Sequence, residues 1–202
     1  MVRSYRQTAR HDTTERTRRR ILESGKGLIE RRGYVDVTID DVSSEAGVAR
    51  ATIYQHFGSK AGILDACCEL IIETGLLSQV RDALRLPDPR TALARGVVLA
   101  TRFWASEHTF FRAVYAVAAI EPGALRFVDL QRADHHGEME SIVARLAEAR
   151  ALRADLSKPV ATEMLASLTG FHFYDELVTH GHMSPEAAAK AIRDLALSLT
   201  AS

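Results

Sequence analysis

Between Arg16 and Arg32 the apolar residues Ile21, Leu22, Leu28 and Ile29, with Gly25 among them, recur on one helical stripe while Arg and Glu fill the other positions. This spacing, closed by Gly33, predicts an amphipathic helix of about seventeen residues. The stretch "VDVTIDDVSSEAG" then opens a second, short helix that runs to about Ala46. Thr38 is placed to cap it, Asp41 follows three residues on, and Val37 and Val42 stand where a hydrophobic staple needs them. Gly47 ends that helix, Val48 and Ala49 complete a tight turn, and a third helix begins near Arg50 and stops at Gly58. A short turn with glycine between two helices is helix-turn-helix spacing.

The helical pattern continues beyond Ser59. A fourth helix is expected to about Arg81, a break at Leu86–Pro89, a fifth helix from Arg90 to about Ala105, and a sixth after it. Glu121-Pro122-Gly123 punctuates again. Leu125–Arg150 reads as one long helix, Ser157–His180 as another closed by Gly181, and Ser184-Pro185-Glu186 opens the last with a cap and a first-turn proline. The expectation is an all-α chain of about nine helices without strands, divided into residues 1–58 and a larger helical bundle, 59–202, joined directly by the fourth helix.

The third helix is too polar for a core element. At about 100° per residue, Ile53 and Phe57 share one side, Ala51 and Gln55 lie opposite, and Arg50 with Tyr54 and Thr52 with His56 form the flanks. A helix entering a DNA major groove needs a small residue for close approach, amide or guanidinium groups for base edges, and hydroxyls and cations for phosphates. Ala51, Gln55 and Arg50, then Thr52, Tyr54, His56 and Lys60, supply that set.

Over residues 16–64 the chain, with "TIDDVSSEAGVARATIYQHFGSKAGIL" at its centre, resembles the TetR family of transcriptional regulators, matching its spacing at Gly47, Val48, Thr52, Tyr54, Phe57, Lys60 and Leu64 together. The resemblance implies Thr38 and Lys60 at phosphates, Thr52 and Tyr54 at the DNA backbone, Arg50, Ala51 and Gln55 at bases, and His56 at either. Two positions depart from the family pattern. Ala49 stands where a capping serine is usual, at a cost of about 1 kcal/mol. Ala61 and Gly62 replace the usual acidic residue, leaving the start of the fourth helix to Ser59.

The resemblance also implies a C-terminal bundle that binds a small effector and pairs with a second copy through its last two long helices. For the effector, which we expect to be apolar or aromatic, the aromatic-rich middle of the bundle offers Phe103, Trp104, Phe111, Tyr115, Met139 and Phe171, with His108, His136 or His172 as polar handle. For the partner copy, two apolar stripes along Ser157–His180 and one along the last helix offer Leu165, Leu168, Ala188, Ile192, Leu195 and Leu199.

Composition adds less. Of 202 residues, 47% are hydrophobic and 26% charged, as in an ordinary globular protein; the net charge is zero, but residues 1–60 carry +4 and residues 61–202 carry −4. The surplus fits an N-terminal part that meets a polyanion. Arg3, Arg6 and Arg10 lie on a segment without apolar periodicity, read either as an arm reaching DNA or as a solubilising tail. Neither a secretory leader nor a membrane span is legible, so a cytoplasmic protein is expected. "HHGEME" pairs His136 with Glu140 but lacks a metal-binding His-Glu-x-x-His order, and no nucleophile elbow or phosphate loop is present, so neither a metal, a cofactor nor catalysis is expected. The expected function is an effector-responsive regulator, a homodimeric repressor released from a palindromic operator. The alternatives are a regulator triggered by a metal or by oxidation at Cys67 or Cys68, and a protein-interaction bundle with a vestigial helix-turn-helix.

Overall fold

The computed structural model describes the backbone of residues 2–73 and 76–201, and the side chains among them from Thr13 onward except that of residue 73. Among the described residues eleven α-helices follow in order: α1 Val2–Arg32, α2 Ile39–Ala46, α3 Arg50–Phe57, α4 Lys60–Glu73, α5 Leu76–Leu84, α6 Pro89–Ser106, α7 His108–Val117, α8 Pro122–Glu148, α9 Lys158–Thr169, α10 Phe171–Asp175 and α11 Pro185–Leu197. A π-helical turn, Glu176–His180, follows α10. Among the described residues the β-structure amounts to an isolated bridge between Leu152 and Thr200.

Two expectations change. The first helix begins at Val2, so the segment bearing Arg3, Arg6 and Arg10 has helical backbone instead of forming an extended arm. Ser157–His180 is divided, because the backbone turns extended at Gly170 (ψ 163°) between α9 and α10. The helix expected to run from Ser59 to Arg81 is described as α4 and α5, and residues 74–75 between them lie outside the described residues.

The chain forms two compact units. The first comprises Met1–Ile71 with Ala113–Phe127, the second Ile72–Arg112 with Val128–Ser202. In the first unit Ile21, Leu22, Leu28 and Ile29 of α1 are buried together with Val37, Val42, Ile53, Ile63 and Leu64. Each such side chain contributes roughly 1.5–3 kcal/mol on burial. Gly25 belongs to the buried stripe for a steric reason, since a Cβ there would lie 2.8 Å from Ile63 Cγ2. The basic end of α1 clamps α2, with Arg31 at 2.8 Å from Glu45 and Arg32 at 2.9 Å from Asp41.

In the second unit α6 packs against both α5 and α11. Its entry is capped by Asp88, which accepts from Thr91 N at 2.9 Å. Gly96 lets α6 approach α5, where a Cβ would come within 2.6 Å of Leu84 Cδ2. Arg145 of α8 donates to the carbonyls of Leu84, Leu86 and Pro87, satisfying acceptors that the end of α5 leaves open.

Candidate functional site

The helix-turn-helix is built from local chemistry. Thr38 and Asp41 form a reciprocal capping box: Asp41 N donates to Thr38 Oγ1 (3.1 Å), and Thr38 N donates to Asp41 Oδ2 (2.8 Å). The Thr38 hydroxyl also donates to that carboxylate, at 2.6 Å. This hydroxyl, with Arg32 beside it, holds the Asp41 carboxyl down to about 2. The only O–H of Thr38 is therefore engaged within the cap. Gly47 turns the chain with φ +60°, a left-handed conformation that glycine adopts without strain. Ser43 Oγ donates to Val48 O at 2.6 Å and ties the turn to α2.

Fully buried Ile53 anchors α3 and fixes which face turns outward. Arg50, Ala51, Tyr54 and Gln55 are exposed, Thr52 and His56 half-buried. Tyr54 keeps 46% of its surface open. Arg50 Nε lies 3.0 Å from Asp40 Oδ1 on α2, a partner that sequence spacing did not single out. Ala49 makes no side-chain cap, as its residue type dictates. Ser59 does cap α4, accepting from Gly62 N at 3.0 Å.

Lys60 departs from the phosphate role. Its ammonium donates to the carbonyls of Tyr34 (2.9 Å), Val37 (2.9 Å) and Val35 (3.4 Å) and sits 4.2 Å from the centroid of the Tyr34 ring. A lysine has three N–H donors, and three acceptors take them. Lys60 thus fastens the turn between α1 and α2. On the other side of that turn the Tyr34 hydroxyl donates to Glu121 at 2.8 Å. Burial and the neighbouring Glu121 carboxylate both push the Tyr34 phenol upward, so it remains a donor.

In the second unit the expected effector residues Phe103, Trp104, Phe111 and Phe171 do converge, with ring centroids 4.9–5.7 Å apart. They are buried against one another as a packed cluster. Trp104 Nε1 donates to Thr169 O at 3.0 Å, and the Thr169 hydroxyl reaches Met139 Sδ at 3.6 Å, which joins Met139 to the group. His108 borders it, with Nε2 2.7 Å from Asp175 Oδ1. Thr179 Oγ1 donates to the same carboxylate oxygen at 2.7 Å, and Arg112 lies 3.4 Å away. Burial raises the Asp175 carboxyl, but Thr179, His108 and Arg112 outweigh it and hold it below its ordinary value. Asp175 and Thr169 were not legible as partners in the sequence, because their contacts span 67 and 65 residues.

The remaining residues are less drawn in. His136 lies 2.9 Å from Glu163 near the surface; His172 is exposed, its ring centroid 6.1 Å from that of Phe171; Tyr115 belongs to the first unit. The histidine drawn into the cluster is His135, 2.9 Å from Thr169 Oγ1, where burial makes it harder to protonate.

The partner-facing set needs a correction of phase. Leu165, Ala188, Ile192 and Leu199 are buried within the unit, so they are core. The outward face of α9 carries Val160 (51% exposed), Met164 (40%) and half-buried Leu168, and that of α11 carries Leu195 (44%). Cys67 and Cys68 are buried; burial pushes Cys67 up to about 12 and raises Cys68 as well, which disfavours a thiol trigger. Among the described residues no three His, Cys, Asp or Glu side chains gather as a metal site. No helix there is long and apolar enough to cross a membrane.

Residues 21–76 match the model of the bacterial regulatory proteins of the tetR family. The regulator TtgR of Pseudomonas putida is 34% identical over 63 residues, a match spanning 31% of this chain but only 30% of that protein. A crystal structure of the TetR family transcriptional regulator PfmR from Thermus thermophilus superposes with a TM-score of 0.73 at 27% identity, covering 88% of this chain and 97% of that one. A regulator from Saccharomonospora viridis, solved with choline, shares the fold at a TM-score of 0.78 and 23% identity over 93% of this chain and 99% of its own. The tetR model falls on the helix-turn-helix and α4, and the fold likeness to TetR family regulators extends through the bundle: residues 21–76 form a DNA-binding domain of the tetR family of bacterial regulatory proteins.

Proposed function

We propose that this protein is a homodimeric, effector-responsive DNA-binding repressor, with residues 1–58 as reading head and 59–202 as effector and pairing domain. The observation that carries the reading is the outward face of α3, where Arg50, Ala51, Tyr54 and Gln55 stand exposed while Ile53 of the same helix is buried. Arg50 and Gln55 read base edges, Ala51 permits close approach, and Thr52, Tyr54 and His56 meet phosphates. Thr38 meets DNA through a hydroxyl oxygen whose proton is spent on Asp41, so its contribution is chiefly to hold α2.

Pairing runs through the outward stripe of Val160, Met164, Leu168 and Leu195. Apolar residues at i, i+4 and i+8 on α9, the first two exposed and the third half-buried, suit a helix-to-helix seam. The effector enters the aromatic cluster beside His108 and Asp175, and the rings must part to admit it. A hundredfold loss of operator affinity then requires coupling of about 2.7 kcal/mol between the two sites. The test is to select bound fragments from the source genome, identify the half-site, and measure affinity for the intact palindrome and a scrambled one. Equal affinity for both would overturn the reading.

A further inference from the structure

A groove of about 640 Å³ lies on the second unit between α5 and α8, apart from the aromatic cluster. Leu84 and Ile142 line it, together with Arg81, Arg85, Glu138 and Gly137. Gly137 is the informative residue. A glycine inside a helix weakens it relative to alanine, and the other glycines within the described helices have a neighbouring atom within 4 Å of where a Cβ would stand. Gly137 faces open space, so packing does not require it. What its missing side chain leaves is room over the groove.

The charges in the groove are unevenly matched. Arg81 Nε lies 3.3 Å from Glu138, with Asp134 at 4.0 Å from the same guanidinium. Arg85 has Asp82 of its own helix at 3.5 Å, both side chains about three-quarters exposed. Arg145 spends its donors on backbone carbonyls while its charge remains. Three guanidiniums thus face Asp134 and Glu138.

We infer that this groove binds a small organic monoanion with a flat apolar body, its carboxylate meeting Arg85 and Arg81 and its body lying over Gly137. The volume suits such a ligand, and a planar carboxylate suits the guanidinium fork.

The test uses the full chain and 2-naphthoate, with 2-naphthol and 2-naphthylmethylammonium as neutral and cationic controls, followed by calorimetry near physiological salt. Naphthoate should bind saturably below about 1 mM and the controls at least about tenfold more weakly. Arg85→Ala with Arg81→Ala should weaken naphthoate by about tenfold or more. Gly137→Leu should abolish binding while leaving Tm unchanged or higher, and Gly137→Ala, which adds only a methyl group in open space, serves as the folding control. Naphthoate binding that survives Gly137→Leu, equal binding of the cation, or no saturable binding would each overturn the proposal. Direct binding is measured without DNA, so its failure is distinct from failure of the regulator reading.

Discussion

Lys60 is spent on holding the fold, whereas Arg50 is exposed and, in the proposed function, reads DNA. Lys60 gives its three donors to backbone carbonyls in a part-buried turn, where charge-assisted hydrogen bonds are worth about 1.5–3 kcal/mol in net stability. Lys60→Ala should therefore lower Tm in urea or thermal unfolding, and its effect on DNA should follow the stability loss. An unchanged Tm with a flattened salt slope would return Lys60 to the phosphates. Arg50 is held by Asp40 and Tyr54, both exposed, and can exchange them for a base edge. Arg50→Ala should cost about 1–3 kcal/mol at preferred sites and relax preference there, measured by anisotropy against a panel of operators. Asp41 adds a pH dependence. Its folded value of about 2 lies below its ordinary 3.8, so its stabilisation is present above pH 3.8 and is lost as the pH falls through about 2. In acid titration Asp41→Asn should remove that segment of the stability curve, and an unaltered curve would contradict the cap assignment.

Helices were legible where chemistry is local and obscure where it is not. Gly33, Gly47 and Gly58 all take positive φ at the ends predicted for the first three helices, and the Thr38 cap forms as its spacing requires. The phase of the proposed pairing face was not recoverable. α9 is apolar on both sides, and periodicity alone does not tell which side the protomer buries; burial assigns Leu165 inward and Val160 and Met164 outward. The continuation of α1 back to Val2 was missed because its early turns carry no apolar stripe. Placement of a charge then separates the two faces. Met164→Asp or Leu195→Asp should leave folding intact and give a monomer by light scattering, whereas Leu165→Asp should lose several kcal/mol through an unpaired buried charge. A dimer that persists in Met164→Asp with Leu195→Asp would place the pairing surface elsewhere.

In the proposed dimer, each chain carries one reading head and one pairing surface. Two heads on a dimer must meet half-sites separated by one helical turn of DNA or a multiple, so recognition by a dimer implies a palindrome. Phe103, Trp104, Phe111 and Phe171, four of the residues expected at the effector, do converge, but their packing against one another was not legible, because ring-to-ring contact depends on how α6, α7 and α10 assemble. The most direct test of the central claim is the affinity and stoichiometry of the full chain on its genome-selected palindrome and a scrambled duplex, by anisotropy at two salt concentrations. The expected result is two chains per palindrome, at least about a thousandfold preference over the scrambled duplex, and collapse of that preference in Arg50→Ala with Gln55→Ala. Equal binding to both duplexes, one chain per palindrome, or undiminished preference in the double variant would contradict it.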